Sequence, residues 1–143
     1  MACPHFHAVA ARSQTDHSRA AMLPLGDIWD GVCAASPGAS AQPDESTLLT
    51  GCNLGYARGC CSHFPAVDTG ADAVRFTIAQ DAADVVRLYY VLERDHHPLA
   101  HGPLEYSRAT QTFAESAAGD VATRLARAYV DSYLRRKSEA ASR

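Results

Sequence analysis

The sequence predicts an α+β fold: an antiparallel three- to four-stranded meander packed by a C-terminal helix, with a cysteine-bearing, loop-rich N-terminal half. Three observations predict it. From residue 74, apolar residues recur at every second position in successive runs separated by short polar turns. From about Asp120 the apolar spacing lengthens to a helical period. All five cysteines (Cys3, Cys33, Cys52, Cys60 and Cys61) fall within the first 61 of 143 residues.

Residues 1–35 carry Cys3 and Cys33 with few regular signals, and Leu25 to Cys33 reads as a turn-rich loop around the single tryptophan, Trp29. Residues 36–43 form a small-residue loop. A short helix is expected next. Pro43 suits its first turn, Asp44 and Glu45 complement the positive end of its dipole, and Leu48 and Leu49 give it an apolar side. It should run out near Gly51 or Gly55, leaving Cys52 at or just past its end.

Val74, Phe76 and Ile78 alternate with polar or small residues as a half-buried strand requires. Asp81 to Asp84 turn the chain, and Val86, Leu88, Tyr90 and Leu92 line one face of a second strand. Its other face, with Val85 and Val91, is only partly polar. The segment Asp95 to Pro98 makes the next turn, Leu104 and Tyr106 alternate in a third strand, and Thr112 and Phe113 close a fourth. Such short connections favour an antiparallel meander. The helix is capped by Asp120. Leu125, Tyr129 and Tyr133 lie on its apolar face, while Arg124, Arg127, Asp131 and Arg135 lie opposite.

Length predicts one domain, 1–143, with residues 1–65 as the cysteine-ligand region and 74–137 as the sheet-plus-helix scaffold. Hydrophobic residues at 47% and charged residues at 20% place it among globular proteins. A net charge of −3 gives no basic excess for phosphate binding, so nucleic acid is not an expected partner. No stretch approaches the ~20 apolar residues of a membrane span, and the start lacks the pattern of a secretory signal. A cytoplasmic address is the expectation, and thiols there stay reduced. Five cysteines also leave one unpaired in any all-disulfide scheme.

The spacing is Cys-x29-Cys-x18-Cys-x7-Cys-Cys. It contains neither the paired knuckles of a structural zinc site nor the tight run of a bacterial ferredoxin. Zinc draws all its sulfurs to within ~2.3 Å of one point, usually from such pairs. An iron–sulfur cluster needs one thiolate per iron, which scattered single cysteines supply. A [4Fe-4S] cluster is therefore the expected cofactor. Cys3-Pro-His-Phe and Cys61-Ser-His-Phe share the form Cys-x-His-Phe, which favours Cys61 over its neighbour. The expected ligands are Cys3, Cys33, Cys52 and Cys61, with Cys60 as the alternative to Cys61. Gly51, Gly55 and Gly59 would let backbone amides approach the cluster, and Phe6, Phe64, Trp29 and Tyr56 would cover it.

The cluster would serve a redox, sensing or structural purpose, with a redox or other protein partner whose identity stays open. Two alternatives stand beside it. His5, His7 and His63 adjoin cysteines, so a zinc-stabilised interaction module with a mixed ligand set is one. A cysteine-dependent enzyme using Cys61 as nucleophile and His63 as base is the other. Glu93, Asp95, His96, His97 and His101 gather around one turn, where polar residues collect in any case. Phosphate-loop, dinucleotide and nucleophile-elbow motifs are missing, so no catalytic residues are assigned.

Overall fold

The computed structural model describes residues 1–12, 23–35, 40–58, 61–65 and 70–141. The C-terminal half is the expected meander. Strands β3 (Ala73–Asp81), β4 (Val85–Arg94), β5 (His97–Ser107) and β6 (Thr112–Phe113) form one antiparallel sheet in the order β3-β4-β5-β6. The two-residue period buries Val74, Phe76, Val86, Leu88, Tyr90, Leu104 and Tyr106 on one face. Helix α2 (Gly119–Ala141) covers that face with Ala122, Leu125, Ala126 and Val130 among its buried residues. Asp81 joins the two layers. Its carboxylate accepts from Tyr133 Oη at 2.7 Å and from Lys137 on α2, and from Arg108 at 2.5 Å.

One expectation about α2 is corrected. It begins at Gly119, so Asp120 lies in its first turn rather than capping it. Arg135, one turn from Asp131, pairs with the fully buried Asp27 and, at 2.8 Å, with Glu139. Arg136 also pairs with Asp27, and its Nε donates to Gly26 O at 3.0 Å. The cysteine-bearing half therefore also packs against this helix.

That half is loop-rich, as expected, and also carries a pair of short strands. Strands β1 (Phe6–Ala11) and β2 (Trp29–Cys33) pair antiparallel, with Phe6 opposite Cys33. Trp29 is not the hub of a loop. Its indole donates to Ser132 Oγ at 3.1 Å on α2, which seats β2 on the helix. Gly26 precedes it at a φ of +78°, where a Cβ would fall 2.8 Å from Ser132 Cβ, so the glycine permits this approach.

The short helix forms and then changes character. Asp44 caps helix α1 (Glu45–Thr47) by accepting from Thr47, and the chain continues as a π-helical turn over Leu48–Asn53. Cys52 lies inside that turn rather than beyond the helix end. Asn53 fixes the turn to β2. Its amide oxygen accepts from Trp29 N–H at 2.8 Å, and its amide nitrogen donates to Trp29 O at 3.0 Å and Leu48 O at 2.9 Å.

Replacing Asn53 by alanine leaves buried backbone groups of Trp29 and Leu48 without these partners. We expect Asn53→Ala to destabilise the protein by about 2–4 kcal/mol, read as a lower urea midpoint at unchanged m-value.

Candidate metal centre

Four segments converge at one end of the β1–β2 pair, and each delivers one cysteine. The first is the chain start. Ala2 bridges Val74 of β3 through bonds of 2.7 and 2.8 Å, and the Met1 ammonium donates to Leu54 O at 3.1 Å. This holds Cys3 in place, and its N–H donates to Cys52 O at 3.0 Å, so the first and third cysteines are joined through backbone. Cys33 ends β2 and is bonded in both directions to Ala41, at 2.8 and 2.9 Å. Cys61 donates its N–H to Ala57 O at 2.7 Å.

Cys3, Cys33, Cys52 and Cys61 line a single cavity. It measures about 440 Å³ counted to its open mouth, although it is narrow and little of that space admits water. Cys3 and Cys52 are buried, Cys33 and Cys61 half-buried, and all four are free thiols. Cys60 lies outside the described residues. Among the described residues, no group of three or more histidine, cysteine or acidic side chains is arranged to hold a metal ion.

The Cys-x-His-Phe echo has a structural counterpart. Phe6 N–H donates to Cys3 O, and Phe64 N–H donates to Cys61 O, both at 3.1 Å, so each copy closes a four-residue turn. The turns face each other: the His5 and Phe64 rings meet edge to face with centroids 5.1 Å apart. His5, Phe6, His63 and Phe64 all line the cavity. On Phe64, the Arg58 guanidinium sits 4.7 Å from the ring centroid.

Phe6 and Phe64 line the cavity beside the four cysteines. Trp29 and Tyr56 do not line the cavity: Trp29 is turned to α2, and Tyr56 stacks on His96 at 4.1 Å and donates to Glu93. Gly55, at a φ of +90°, serves the chain start instead of the thiols, since a Cβ there would lie 1.8 Å from Met1 O. Gly51 is not in the cavity wall, and Gly59 lies outside the described residues. The group around the β4–β5 turn is held by local structure. His97 Nδ1 is 2.7 Å from Asp95 O, the Asp95 N–H donates to Asp72 at 2.8 Å, and Arg75 lies 3.5 Å from Glu93. His7 lies on β1, beside Arg124.

Burial pushes the Cys3 thiol up to about 11, although the backbone N–H groups of His5 and Phe6 favour its thiolate. Burial pushes Cys52 up to about 12, and neighbouring Cys3, Cys33 and Cys61 add to the effect by mutual repulsion. Both thiols hold their protons near neutrality, which is unsuited to a nucleophile but ordinary for a ligand whose proton a metal displaces. No hydrogen bond joins Cys61 to His63 among the described residues.

Comparison with protein families, curated proteins and solved structures gives no match.

Sequence reasoning missed Arg124, which reaches back from α2. Its guanidinium donates to Pro4 O at 2.9 Å and Phe6 O at 3.3 Å, the two carbonyls flanking His5 in the Cys3 turn. The helical period marks Arg124 as polar-facing but carries no signal that Cys3 lies beside it.

The raised thiols make a pH prediction. Folding holds protons on Cys3 and Cys52 that the unfolded chain releases near 9.0. Their stabilisation is complete below about pH 9 and is lost as pH rises through about 11 to 12. Urea unfolding of metal-free protein across this range should show the decline, with a shallower one for Cys3→Ala.

Proposed function

We propose that this protein binds a [4Fe-4S] cluster through Cys3, Cys33, Cys52 and Cys61 and uses it in one-electron redox chemistry. One observation carries the reading: four cysteines scattered between positions 3 and 61 line one cavity. The donor set fits the group, because a cubane takes one thiolate per iron from separate chain segments. A single ion instead needs its sulfurs within ~2.3 Å of one point, and the described side chains do not gather in that way.

The surroundings support the same reading. The backbone N–H groups of His5 and Phe6 favour the Cys3 thiolate, an effect that would stabilise a ligating sulfur. Phe6 and Phe64 shield the inner wall from water. When bound, the cluster supplies a one-electron couple. The half-buried Cys33 and Cys61 bring the mouth of the cavity to the surface, where a protein redox partner could approach within electron-transfer range.

A mixed Cys/His zinc site is the second reading, favoured by His5 and His63 in the same cavity wall. Elemental analysis separates the two.

Protein purified without oxygen should be brown and carry iron and acid-labile sulfide in equal amounts. Cys3→Ser, Cys33→Ser, Cys52→Ser and Cys61→Ser should each lose most of that content, and Cys60→Ser should keep it. A colourless, folded, iron-free protein, or one loaded only with zinc, overturns the proposal. Loss with Cys60→Ser and retention with Cys61→Ser would exchange those two positions.

A further inference from the structure

Arg124 is a half-buried cation on α2 whose hydrogen bonds, among the described residues, go to backbone carbonyls and to no carboxylate. Its guanidinium is bonded to the carbonyls of Pro4 and Phe6 at 2.9 and 3.3 Å, and its Nε is buried with no hydrogen-bond partner. Among the described residues, no carboxylate bonds to it. The other guanidiniums that α2 sends into the N-terminal half, Arg135 and Arg136, both close on Asp27. A guanidinium taken out of water without a counter-charge is costly. The charges that act on it are Asp120, one turn earlier on α2, and Cys3, while His7 on β1 feels it as a neighbouring positive charge.

Resting on the cluster reading above, we propose that Arg124 is the electrostatic counter-charge of the cluster, stabilising its reduced state through the Cys3 turn. Arg124 is a positioning residue rather than a ligand. Its two bonds go to carbonyls within and next to the turn that begins at Cys3, so the cation is tied to the backbone that carries that ligand.

Four thiolates around one cluster leave the centre anionic. Reduction takes one electron from an external low-potential donor and adds one further negative charge, with no bond made or broken. A fixed cation nearby favours the more negative state and raises the reduction potential.

The test is a redox titration of anaerobically purified protein, with dithionite as reductant and absorbance or electron paramagnetic resonance as readout. Arg124→Gln retains hydrogen-bonding capacity and removes the charge. It should lower the reduced-to-oxidised ratio at fixed potential by about tenfold, equivalent to about 59 mV for one electron. Arg124→Lys, which restores the charge, should return most of that shift at equal iron and sulfide content. Asp120→Asn removes the neighbouring negative charge at an exposed position and should shift the potential upward, which keeps the test available if Arg124→Gln does not fold.

Unchanged potentials in Arg124→Gln and Asp120→Asn overturn the inference while leaving the cluster in place. Equal shifts in Arg124→Gln and Arg124→Lys assign the effect to turn geometry instead of charge and also overturn it. A wild-type protein without iron and sulfide removes the cluster reading, and this inference falls with it.

Discussion

The cysteine-bearing half depends on one buried side chain. Asn53, 1% exposed, bonds to both backbone groups of Trp29 and to Leu48 O. In effect its amide adds a short strand-like rung to β2 and closes the π-helical turn at the same time. A π-turn is an unfavourable way to continue a helix, because its wider ring packs poorly around the axis. Here it places Cys52 so that its carbonyl accepts from Cys3 N–H and its side chain faces the cavity. A regular α-helical continuation would rotate Cys52 relative to Asn53, and the two requirements would no longer coincide.

Helix α2 links this assembly to the sheet, and it does so with two of its faces. The apolar face packs on the meander and needs only hydrophobic burial. An adjoining face makes directional contacts to the N-terminal half: Ser132 to Trp29, Arg135 and Arg136 to Asp27, and Arg124 to the Cys3 turn. Charged groups on that face give up hydration and are compensated by specific partners, so the docking has one register. A slide of α2 by one turn would part Asp27 from both arginines and leave its carboxylate buried without them. The position of Cys3 relative to the sheet follows from the same contacts together with the Ala2–Val74 bridge.

The sheet and α2 are legible in the sequence because local pattern and tertiary role agree there. Val74, Phe76 and Ile78 alternate whatever they pack against, and the Asp81–Asp84 and Asp95–Pro98 turns punctuate them. Strands β1 and β2 are not legible, because Phe6–Ala11 is rich in alanine and Trp29–Cys33 contains Asp30 and Gly31. Neither has strand propensity enough to announce itself, and both exist through each other and through Asn53. Gly31 is used for a close approach: a Cβ there would lie 2.0 Å from His7 O. The sequence points to Cys61 only through its echo of Cys3, and Cys60 lies outside the described residues. Arg124 was hidden because a periodic pattern tells which residues face away from a sheet, not what else lies on that side.

The electrostatics of the cavity set two opposing demands on the same residues. A small apolar enclosure keeps Cys3 and Cys52 protonated, and it protects them from reacting while nothing is bound. Cluster binding requires the opposite: four thiolates brought together in a low-dielectric space, where mutual repulsion is strong. In the proposed cluster, iron would supply most of the compensation, and the protein the rest from fixed dipoles and charges. The chain offers N–H groups at the Cys3 sulfur and one guanidinium behind the turn that carries them. The Cys61 turn repeats the Cys3 turn in backbone form, but its cation, Arg58, is engaged with Asp72 and the Phe64 ring. The two halves of the echo are therefore alike in shape and unlike in charge. Were the proposed cluster bound, an added electron would be stabilised more on the Cys3 side than on the Cys61 side.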